Sequence, residues 1–171
     1  MKGILGVGNL LMADEGFGIH VIRYIEDNCQ IPAGVELLDG GTAGMALLPF
    51  FQRCDAVLVL DVINLDAEPG TLVSFSRSDF GAVVRGQKTS PHQIGILDIL
   101  DILDMDGQAP GVDFLCAVPQ NISEAVELSP SLKGLVPKAA EQALCWASGA
   151  GHQAMKVPPS KSSAPAGERD G

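Results

Sequence analysis

AVLVLDVI, residues 56–63, is apolar at every position but one, and the exception is Asp61. A short apolar run rich in β-branched residues is the pattern of a strand covered on both faces, as in the middle of a parallel sheet. Working outward, ILGVG (4–8) is a second buried strand that ends in glycine, and VELLD (35–39) is a third. TLVSF (71–75) and VDFLCAV (112–118) complete the set. Between them lie helical patterns. Residues 15–28 carry Phe17, Val21, Tyr24, Ile25 and Asn28 at helical spacing, and AGMALLPFFQR (43–53) reads as a helix interrupted near Pro49. IGILDILDIL (94–103) and residues 133–148 give two more. Strands alternating with helices predict an α/β fold, a three-layer α/β/α sandwich with a mainly parallel twisted sheet. One domain is expected over residues 1–149. Residues 150–171 collect glycine, proline, serine and lysine without apolar pattern and read as a disordered tail.

Composition narrows the function classes. The chain has 171 residues, 46% of them hydrophobic, which excludes disorder throughout. Its formal charge of −10 argues against nucleic acid or an anionic membrane as partner. No apolar run approaches the ~20 residues of a membrane span, and the acids at 14 and 15 spoil a signal peptide. A cytoplasmic monomer is the expectation. The four cysteines, at 29, 54, 116 and 145, form no CxxC pair and read as reduced thiols.

In open α/β sheets ligands bind beyond the carboxyl ends of the strands. Those ends carry acids here: Glu15 in the loop after the first strand, Asp39 after the second, Asp61 in the central one. An acid at a strand end often caps the following helix, so each has a plain structural explanation, and three on one rim leave the chemical reading equally open. His92, in TSPHQIG, follows a proline turn and precedes a helix. Glu15, Asp61 and His92 would form an oxygen, oxygen, nitrogen ligand set with open positions, unlike a closed structural zinc site. Spacing alone does not single it out. Asp14, beside Glu15, is placed to act as the N-cap of the first helix. Gly16 and Gly18 would let a substrate loop approach closely.

Other patterns fall away. Gly6-Val7-Gly8 begins a dinucleotide fingerprint, but its third glycine would be residue 11, which is Leu11. The Asp98, Asp101, Asp104 series reads as the solvated face of a helix, and His20 as a surface or packing residue.

Four segments, GVGNLLMADEGFG, LDGGTAG, LVLDVI with the later EPGT, and SPHQIG, occur in an order that resembles the hydrogenase maturation endopeptidases, over roughly residues 3 to 148. The resemblance implies an α/β/α sandwich and an aspartyl-type peptidase. It implies removal of a short C-terminal extension from the precursor of the nickel–iron hydrogenase large subunit, once nickel is inserted. The nickel, carried within the substrate, would be the recognition element and would meet Glu15, Asp61 and His92. Asp39 matches a further functional carboxylate, so Asp39, Glu15 and Asp61 are the candidate catalytic acids. Gly40, Gly41, Thr42 and Gly16 are the candidate substrate-binding positions. The rival readings are a general metal-dependent peptidase or amidase, and a nickel carrier or assembly chaperone without hydrolysis.

Overall fold

A computed structural model describes residues 1–83 and 91–149, and for residues 91–94 the backbone only. Five strands form one sheet: β1 (Lys2–Val7), β2 (Val35–Gly41), β3 (Ala56–Val62), β4 (Leu72–Ser76) and β5 (Gly111–Ala117). Their order is β2-β1-β3-β5-β4. β1, β2, β3 and β5 run parallel, and β4 lies antiparallel at the edge. The AVLVLDVI run is therefore an interior strand, paired with β1 on one side and β5 on the other.

Among the described residues, six helices flank the sheet: α1 (Phe17–Asn28), α2 (Leu48–Arg53), α3 (Phe80–Val83), α4 (Pro91–Met105), α5 (Pro130–Lys133) and α6 (Val136–Ser148). Alternate strand residues point to opposite faces, and each face has its own core. Ile4, Leu58, Leu60 and Leu115 pack with Phe17, Val21, Ile22 and Ile25 of α1 and with the alanines of α6. Leu5, Val57, Val59 and Phe114 pack on the other side with Phe50 and Phe51 of α2 and Ile96, Ile99 and Leu103 of α4. This is the three-layer sandwich read from the sequence.

Several boundaries differ. Residues 13–16 form a 3-10 turn, so α1 begins at Phe17 rather than at 15. Pro49 does not interrupt a helix: a 3-10 turn, Gly44–Leu47, ends first, and Pro49 sits in the opening turn of α2, where its missing N–H costs nothing. The helix expected over 94–103 extends over Pro91–Met105, and the closing helix starts at Val136, not 133. Gly149, left-handed at φ 73°, ends it. The tail expected over 150–171 lies outside the described residues. On α4, Asp101 and Asp104 both pair with Arg77 at the far edge of the sheet, which keeps the aspartate series away from the site.

Candidate functional site

The strand order places a switch point between β1 and β3. The chain leaves β1 through α1 to β2 on one side, then crosses back through α2 to β3 on the other. Loops after β1 and β3 therefore diverge and open a crevice at the carboxyl edge. Glu15 and Asp61 belong to those two loops and strand ends.

Asp61 is fully buried. Its Oδ1 accepts the backbone N–H of Val62 at 2.7 Å, a bond that fixes its rotamer. Its lateral neighbour across β5 is Cys116. Burial, then the Asp61 carboxylate, hold that thiol well above its ordinary range. By alternation Asp61 shares a face with Val57 and Val59, the face that carries α2 and α4.

Glu15 is half-buried in the 3-10 turn Ala13–Gly16. Two features set its position. Gly8 takes φ 138°, and a Cβ there would lie 1.8 Å from the Glu15 carbonyl oxygen, so the loop folds back on bare backbone. Ala13 holds a left-handed φ of 45°, an unfavourable state for a residue with a side chain. A backbone bond from its N–H to the Ala125 carbonyl, at 2.6 Å, holds it there.

His92 lies in the first turn of α4, on the same side of the sheet as Asp61, and its side chain lies outside the described residues. That turn is next to Gly44–Leu47: a Cβ on Gly95 would sit 3.7 Å from the Gly44 Cα. The fold thus brings the backbones carrying Glu15, Asp61 and His92 to one edge. Among the described residues there is no ready-made cluster of three metal-binding side chains.

Asp39 is arranged differently. It registers with Gly6 and shares the face of Leu37, against α1, so it projects to the opposite side of the sheet from Asp61. Its Oδ1 accepts the Gly41 N–H at 3.1 Å, and its Oδ2 faces Arg23 of α1 at 3.5 Å. The carboxylate thereby shapes the turn in which Gly41 is left-handed (φ 47°). Of the turn residues, Thr42 is exposed and Gly41 half-exposed, whereas Gly40 is buried against Leu5 of β1.

Two expectations need correction. Asp14 does not cap a helix: neither the 3-10 turn nor α1 has a side-chain cap. Its buried carboxylate reaches across the fold. Oδ2 accepts the N–H groups of Gln120 and Asn121, both at 2.8 Å, and the Ser129 hydroxyl at 2.9 Å. Oδ1 accepts the Ser129 N–H at 2.7 Å. Asp14 ties the 118–129 segment to the Glu15 turn, and the Met12–Ala125 bridge runs alongside. Sequence reasoning passed over that segment because residues 119–129 show no periodicity. Nor do Gly16 and Gly18 open onto a substrate path. Gly16 is buried against Leu10 and the His20 ring, and a Cβ on Gly18 would meet the Leu60 carbonyl oxygen at 2.1 Å. Gly18 is there so that α1 can press onto β3.

Residues 19–146 match the family model described as hydrogenase maturation protease. The chain belongs to the hydrogenase maturation protease family. Members are peptide-bond hydrolases; some relatives are named maturation proteases or endopeptidases and others hydrogenase expression/formation proteins. The hydrogenase 2 maturation protease of Escherichia coli (strain K12) is 33% identical over 143 residues, covering 82% of this chain and 87% of the relative. The hydrogenase expression/formation protein HupD of Rhodobacter capsulatus is 40% identical over 107 residues, 63% of this chain. That match spans 51% of HupD, about half its length. Among solved structures, the hydrogenase maturating endopeptidase HybD from E. coli superposes with a TM-score of 0.80 at 32% identity, covering 88% of this chain and 93% of that one. A maturation protease HybD from Thermococcus kodakarensis gives 0.71 at 28%, covering 83% and 95%. Among the described residues, no helix of the maturation protease is long and apolar enough to cross a membrane.

Proposed function

We propose that the protein is the endopeptidase that removes the C-terminal extension from the precursor of a nickel–iron hydrogenase large subunit after nickel insertion. It acts as a cytoplasmic monomer. The observation that carries this reading is Asp61, a fully buried acid at the carboxyl end of an interior parallel strand, facing the crevice that Glu15 borders. Its carboxylate is held in one orientation by the Val62 N–H at 2.7 Å, so a cation presented by the substrate would meet a pre-oriented acid.

In this reading nickel is cargo, held in the precursor, and its open positions meet Glu15, Asp61 and His92. Docking orients the adjacent peptide and converts recognition into proximity. A carboxylate of the pair then takes the proton of a water as that water attacks the scissile carbonyl, and the proton passes to the departing amine. Asp39, through Gly41, positions the Gly40-Gly41-Thr42 turn along which the extension lies.

The test is to mix the protein with matched precursor, nickel-loaded and nickel-free, and weigh the products. The expected result is a shortened large subunit with nickel only. Cleavage of both forms would overturn metal recognition, and nickel binding with unchanged precursor length would favour a carrier. Glu15→Gln, Asp61→Asn and His92→Ala should each abolish processing while leaving the fold intact.

A further inference from the structure

A second site lies on the outer side of α1. His20, Arg23, Tyr24 and Asp27, spaced to share one face of the helix, line a cavity of about 330 Å³ with Lys133 of α5 and the start of α6 at Val136. In a chain of net charge −10 this cavity holds two cations against one acid, Asp27. His20 is its most telling member. The imidazole Nε2 is buried and has no hydrogen-bond partner among the described residues. Leaving such an atom unsatisfied is expensive, and the ring that carries it borders the cavity. The His20 pKa is lowered, first by burial and then by the fields of Arg23 and Lys133. A monoanion between the two cations would pair with both and place its charge beside the imidazole ring.

One wall of the cavity also touches the turn that carries Glu15. The His20 ring lies 3.5 Å from where a Cβ would be on Gly16, the residue after Glu15. Arg23 faces Asp39 at 3.5 Å, and both side chains are about half exposed, so the guanidinium can also turn to a ligand.

We propose that this cavity is a subsite for a carboxylate of the peptide substrate, either its C-terminal α-carboxylate or an acidic side chain. The ligand's identity rests on the peptidase reading above; the site itself rests on the cavity. Arg23 and Lys133 are balanced by Asp27 and by Asp39, the partner of Arg23, so a monoanion enters by competing with Asp39 for the guanidinium. A bound carboxylate raises the His20 pKa, so its affinity increases as pH falls through the His20 titration. Tyr24 faces the same space.

The experiment follows the His20 imidazole by NMR in the full chain, with the signal assigned through His20→Gln. Three probes are added: an acetylated dipeptide acid, its C-terminal amide, and an amidated peptide whose sole carboxylate is a glutamate side chain. The titration midpoint of His20 should move upward with the acid and stay in place with the neutral amide. A response to the glutamate peptide as well assigns a general carboxylate subsite; its absence assigns the α-carboxylate. Lys133→Gln should raise the midpoint without probe and weaken the acid by about tenfold, the loss of one charge-assisted contact. Equal response to acid and amide, or none to either acid at millimolar concentration, overturns the proposal. Glu15→Gln should leave this response intact while stopping precursor processing. A failure of the subsite is thus distinguishable from a failure of the peptidase reading.

Discussion

Asparagine in place of Asp14 differs by one atom, and the structure predicts that the protein will feel it. The carboxylate is fully buried and accepts four hydrogen bonds, three on Oδ2 and one on Oδ1. An amide has one acceptor oxygen. Its better orientation keeps the oxygen toward Gln120, Asn121 and the Ser129 hydroxyl, and turns the NH2 against the Ser129 N–H. One bond to a charged acceptor is lost, two donors then face each other, and the remaining three bonds lose their charge assistance. Bonds to charged groups contribute ~1.5–3 kcal/mol, and a buried unsatisfied donor costs ~1–3 kcal/mol. Relief of the buried charge offsets part of this. The net expectation is a loss of about 2–4 kcal/mol, or roughly 5–15 °C in midpoint for a domain of this size. Urea and thermal melts measure the loss. Hydrogen exchange locates it: the amides of Gln120, Asn121 and Ser129 should exchange far faster, and those of β3 should follow only the global change. Because Asp14 also sets the turn that carries Glu15, processing should fall too. An Asp14→Asn protein that melts with wild type and keeps those three amides protected would refute the reasoning.

Gly18→Ala should destabilise by about 3 kcal/mol in urea unfolding, since its Cβ meets backbone oxygens of Leu60 and Val7 at 2.1 and 2.7 Å, and neither atom can yield. Gly81→Ala, with nothing among the described residues within 4 Å, is the control and should melt with wild type or slightly above it. Thiol titration with a disulfide reagent should label the exposed Cys145 first and half-buried Cys29 next, with buried Cys54 and Cys116 reacting only on unfolding. Glu36 pairs with Arg53, which holds its carboxyl below the ordinary 4.5. A depressed folded value means that this pair stabilises above pH 4.5 and that its contribution fades as pH falls through the folded value. Glu36→Gln should therefore lower the melting midpoint slightly at pH 7, with the difference shrinking as pH falls below 4.5, the small size following from the partial exposure of both side chains.

What the sequence disclosed and what it hid divide along physical lines. Strands and helices were legible because burial writes a period into the chain: AVLVLDVI had to be interior, and the edge at Gly8, Asp39 and Asp61 followed from strand ends alone. Legibility failed where a residue's partner is distant and aperiodic. Asp14 stands beside a helix start, and a local rule assigned it a local partner, whereas its four donors lie more than a hundred residues away in 120–129. The same limit applied to the glycines. Gly16 and Gly18 look like open space from the sequence, yet each lacks a side chain because the fold has placed something against it. Asp39 shows a third kind of limit, since alternation along β2 sends it to the α1 face, and a rim read as one row of acids is in fact two faces.

These three limits bear on one another at the GVGNLLMADEGFG segment. Asp14 is spent on fixing residues 118–129, Gly8 and a left-handed Ala13 fold the loop back, and Gly16 seats His20 against it. Every neighbour of Glu15 is committed to holding a shape. A stretch in which four residues are fixed so that a fifth, half-buried acid stands at a crevice is built for positioning. Under the proposed function, that arrangement gives the chemistry to Glu15 and the scaffold to Asp14.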